Sequence, residues 1–146
     1  MEPELTLPVP PEWHVLVVRT DFSDDAAFDA VCTLITSHDV EGYTPDVIRF
    51  EDRRLDGATP DEVYRLALGS DIAYLFIADA RTIADPEHPL LALDVDSGEE
   101  EPGGTFRTLP AKVCNIDGNL GISNMDFSEY ADSVDPDGVF RGFEGS

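Results

Sequence analysis

The chain has 146 residues, with 31 acidic side chains against 9 basic ones and a formal net charge of −22. A chain of this length forms one domain and buries enough surface to fold without disulfides or a metal. The charge argues against nucleic acid and anionic membranes, which need Lys and Arg, and leaves cations, basic proteins and neutral small molecules as partners.

Residues 1–12 read as a flexible tail, because Pro3, Pro8, Pro10 and Pro11 oppose both helix and central strand. The start Met1-Glu2-Pro3-Glu4 lacks the basic and apolar regions of a signal peptide. No apolar run approaches the length of a membrane span, so a cytoplasmic location is expected. Residues 13–146 are read as a single α/β domain.

Trp13 to Arg19 is a continuous apolar run rich in β-branched residues, the pattern of a strand buried on both faces. Ser23 is placed to cap a helix over about 24–37, with Asp24 and Asp25 at its positive end. Its buried stripe is expected to be Ala27, Val31, Leu34 and Ile35, flanked by Phe28 and Cys32. Asp46–Phe50 reads as a second strand.

Thr59-Pro60-Asp61-Glu62 is a capping box with proline at the first helical position. The helix it opens turns Val63, Leu66 and Ala67 inward and stops near Gly69. Residues 72–78, the most hydrophobic run, predict a central strand ending at Asp79, with a short helical turn over 80–85 after it. Residues 90–95 and 105–109 predict a hairpin across the acidic loop 96–104. Pro110 opens a short helix ending near Gly118, and 120–122 is a small edge strand. A last helix over about 126–134 turns Phe127, Tyr130 and Ala131 inward, and Asp135-Pro136-Asp137-Gly138 is a turn. The β-α-β-α-β first half predicts parallel strands and the hairpin an antiparallel part, so the fold expected is a mixed α/β sheet with helices packed on it.

Three constellations could carry chemistry. Asp21 and Asp79 follow the first and third strands, and Asp24 lies nearby at a helix start. In open parallel sheets ligands bind beyond these carboxyl ends, where converging carboxylates could hold Mg²⁺ or Ca²⁺. With Lys112 after the fifth strand, this loosely resembles a response-regulator receiver domain. The hairpin and the offset of the first acids depart from that pattern. A structural role for these aspartates, as caps and turn residues, is the simpler reading.

Ser133, Asp135, Asp137, Gly138 and Glu144 fall in an EF-hand frame, but Ser stands at the first ligand position and Pro136 interrupts the loop. The third constellation is the C-terminal segment, where Asp126, Phe127, Tyr130, Asp137, Phe140, Arg141 and Phe143 set aromatics and an arginine among acids. These types are enriched at interface hot spots, although such aromatics commonly complete a core.

No nucleophile motif and no phosphate loop occurs, and His14, His38 and His88 lie apart in sequence. Cys32 and Cys114 sit among apolar neighbours and read as buried thiols. No catalytic residue and no cofactor is assigned. The leading expectation is a non-enzymatic acidic protein-binding module, an inhibitor or immunity-type partner of a basic protein. The alternative is a divalent-metal-binding, receiver-like domain or small metal-assisted enzyme using Asp21, Asp24 and Asp79.

The segments Arg19–Asp25, Tyr74–Asp79, and Asn124-Met125-Asp126-Phe127 through Gly142-Phe143 resemble an uncharacterised actinobacterial domain-of-unknown-function family, frequent in Streptomyces. The likeness spans about residues 13–143. It implies one compact domain in a bacterial cytoplasmic protein and carries over no site residues.

Overall fold

The computed structural model describes residues 6–9, 14–36, 46–67, 72, 74–95, 104–113 and 134–140. Its elements are β1 (His14–Arg19), α1 (Asp25–Thr36), β2 (Asp46–Phe50), α2 (Pro60–Ala67), β3 (Tyr74–Ala78), α3 (Ala80–Ala84), β4 (Leu90–Asp94), β5 (Gly104–Thr108) and β6 (Val139–Phe140). Short 3-10 turns occupy Arg53–Leu55 and Pro110–Lys112. The strands form one six-stranded mixed sheet in the order β2-β1-β3-β4-β5-β6.

β1 is parallel to β2 and to β3, β4 is antiparallel to β3 and β5, and β6 is parallel to β5. The chain steps from β1 outward to β2, then back across β1 to β3. Crossovers of one hand in opposite directions put their helices on opposite faces. The two apolar cores follow this division. Val15 and Val17 pack with Phe28, Val31, Cys32 and Ile35 of α1, while Leu16 and Val18 pack with Val63, Tyr64 and Ala67 of α2. β1 is thus buried on both faces, as its unbroken apolar run predicts.

Local expectations fare unevenly. The capping box of α2 forms, with the Glu62 N–H donating to Thr59 Oγ1 at 3.2 Å and the Thr59 N–H donating to Glu62 Oε1 at 3.4 Å. Ser23 does not cap α1. Asp24 does, its Oδ1 accepting from the Ala27 N–H at 3.1 Å, because the helix begins one residue later than a Ser23 cap requires.

The buried stripe of α1 is Phe28, Val31, Cys32 and Ile35, the i, i+3, i+4, i+7 set, which turns Leu34 outward at 37% exposure. The turn after β3 is a helix, α3, because Asp79 and Thr82 make a second capping box. Val139-Phe140, just after the Asp135–Gly138 turn, is a strand pairing with β5. Leu7, within the stretch expected to be a tail, is 8% exposed and lies in the α2-side core. Gly57 and Gly138 adopt positive φ in the turns before α2 and before β6, where a Cβ would strain the backbone. The expected elements over 120–122 and 126–134, and most of the helix after Pro110, lie outside the described residues.

Candidate functional site

The carboxyl ends of β1, β2 and β3 carry the densest polar chemistry in the described structure. Arg19, the last residue of β1, is only 3% exposed. Its face of the strand is the α1 side, and the first turn of α1 covers it. Every guanidinium nitrogen has a partner: Nε donates to the Asp21 carbonyl at 2.9 Å, one terminal nitrogen to Glu51 at 3.0 Å, and the other to Asp25 at 2.7 Å. The cation also lies 4.6 Å from the Phe22 ring centre and 4.8 Å from that of Phe28. Arg53 stacks over Phe22, and Arg49 over Phe28, while Arg49 pairs in turn with Asp29 and Glu51. Two rings and three arginines therefore interleave between acidic residues. A buried charge is tolerable because it is fully paired and hydrogen-bonded.

Asp21, Asp24 and Asp79 reach this same edge, but each carboxylate is already engaged. Asp21 Oδ1 accepts from the backbone and hydroxyl of Ser23, and Asp24 Oδ1 accepts from Ala27. Asp79 accepts both terminal nitrogens of Arg107 and also caps α3 through the Thr82 N–H. Burial pushes the Asp79 carboxyl up, but Arg107 and Thr82 outweigh it and hold the group below the usual carboxylate range. Among the described residues, no group of three or more His, Cys, Asp or Glu is arranged to hold a metal ion. Lys112 lies in the turn after β5.

The strand order reverses between β1 and β3, the place where open α/β sheets form a ligand crevice. Here that place is bridged by backbone. Thr20 donates its N–H to the Ala78 carbonyl at 2.9 Å and accepts the Gly57 N–H at 2.8 Å. Beside it, the turn between α3 and β4 holds His88 at φ 51. Its Nδ1 lies 2.9 Å from the Thr82 carbonyl, so Nδ1 carries the proton in the neutral ring. The Thr82 hydroxyl donates to the Pro89 carbonyl at 2.7 Å, and Arg107 reaches that carbonyl too.

Of the C-terminal constellation, Asp137 and Phe140 are described. Phe140 is 1% exposed and meets Phe106 edge-on with ring centres 6.4 Å apart, so it completes the α1-side core. Asp137 is exposed, and its Oδ1 accepts the Val139 N–H at 3.1 Å. Asp126, Phe127, Tyr130, Arg141 and Phe143 lie outside the described residues, as do Ser133, Glu144 and Cys114. The Asp135–Gly138 segment is a tight turn, with the Gly138 N–H donating to the Asp135 carbonyl at 2.8 Å. Cys32 is buried, and desolvation pushes its thiol up to about 11.

Arg19 and Arg107 carry the site and are absent from the site residues expected from the sequence. The signal for Arg19 was present: a charge ending an apolar strand, with Phe22, Asp25 and Phe28 close behind. Arg107 gives none, since its partner lies two strands away.

A family model described as a domain of unknown function (DUF6924) matches residues 14–143, nearly the whole chain. No curated protein matches the chain.

Proposed function

Because the chain belongs to this family of unknown function, we propose its role from its own charge and geometry: an acidic protein-binding module whose partner presents a basic surface. The observation that carries this reading is the internal use of its few cations. Arg19, Arg49, Arg54, Arg65 and Arg107 are each held in ion pairs with acids of the same chain. With 31 acids against 9 basic residues, the outward field stays strongly negative. A negative field of this kind speeds encounter with a basic protein and repels acidic ones.

The form this takes is an inhibitor or immunity-type partner in a bacterial, actinobacterial cytoplasm. The family resemblance and the predominance of Arg over a single Lys support that setting. No helix among the described residues is long and apolar enough to cross a membrane. The contact region assigned is the acidic-aromatic C-terminus, with Asp137 as its exposed described member. The competing reading, a divalent cation on Asp21, Asp24 and Asp79, is less supported because Ser23, Ala27 and Arg107 already engage those carboxylates. It predicts heat on titration with Mg²⁺, Ca²⁺ or Mn²⁺.

The test is capture by the immobilised full chain from host lysate, followed by purification of the retained protein and rebinding across a salt series. A basic partner bound at about 0.05 M salt and released by about 0.5 M supports the proposal, because screening shortens the reach of exposed charges. Retention of no protein at low salt, or a complex indifferent to salt, overturns it.

A further inference from the structure

We draw no further inference here: the strongest candidate, the turn between α3 and β4 where His88 sits at positive φ with Nδ1 on the Thr82 carbonyl, belongs to the carboxyl-edge site already described, and nothing in the structure shows what its other ring nitrogen would meet.

Discussion

Arg107 reaches across β4 to grip Asp79 with both terminal nitrogens, each 2.7 Å from a different carboxylate oxygen. Arg107 belongs to β5, antiparallel to β4, and Asp79 follows β3, which is parallel to β1. The pair clamps these two strands at one edge, and the Pro89 carbonyl, which precedes β4, is bound from both sides.

Asp79→Asn should cost about 2 kcal/mol at pH 7, the scale of a charge-assisted hydrogen bond in a partly buried site. The carboxyl is held below its ordinary value, so its stabilisation is present above the unfolded pKa of about 4. It is lost as pH falls through the lower folded value. Urea unfolding of both proteins from pH 7 down to about 2.5 checks this. The gap between them should close at the acid end, and a gap that stays constant would refute the assignment.

Arg19→Met should destabilise by about 3 kcal/mol, combining lost charged hydrogen bonds with the lost stacking on Phe22 and Phe28. Asp25 is largely exposed, so its stranded charge adds little. Arg19→Lys should recover less than half of the loss, because an ammonium cannot serve three separated acceptors and stack on two rings. Thermal or urea denaturation of the three proteins measures both steps.

Tyr64→Phe should leave stability unchanged or raise it by about 1 kcal/mol. The Tyr64 hydroxyl is buried in the α2-side core with no hydrogen-bond partner among the described residues, so the tyrosine bears a desolvation cost that phenylalanine avoids. A clear loss in the unfolding midpoint would show that the hydroxyl is bonded in solution.

Cys32 should resist alkylation. Burial on the inward face of α1 pushes its thiol up to about 11, so little thiolate is present at pH 8. A Cys114→Ser variant isolates it. Iodoacetamide labelling at pH 8 should follow global unfolding in denaturant, and rapid labelling of the native protein would contradict the burial.

The sequence was most readable where local chemistry decides. Thr59 and Glu62 sit one turn apart and find each other in any helix that starts there. The apolar runs of β1 and β3 have no polar face to offer solvent, so they had to be central. Reading failed where a tertiary neighbour decides. Leu34 is as apolar as Ile35, but Phe28 and Cys32 set the helix face by a rotation that the sheet selects. β6 is two residues long and has no periodicity to detect; it exists because β5 offers an edge. The candidate site was half visible: the aspartates show as strand-end acids and Arg19 as a charge ending an apolar strand, but Arg107, the partner of Asp79, becomes evident only when distant strands align.

The crossing of the chain over β1 also sets an order of assembly. Val17 and Phe76 are separated in sequence by α1, β2 and α2, whereas Leu93 and Thr105 lie twelve residues apart. Closing the shorter loop costs less chain entropy, so the β4–β5 hairpin is the cheapest contact to nucleate and the β1–β3 pairing is slow. Until β3 arrives, β1 presents an unpaired apolar edge, which makes the interval between the two strands the period when this acidic chain most depends on its charge to stay apart from its neighbours.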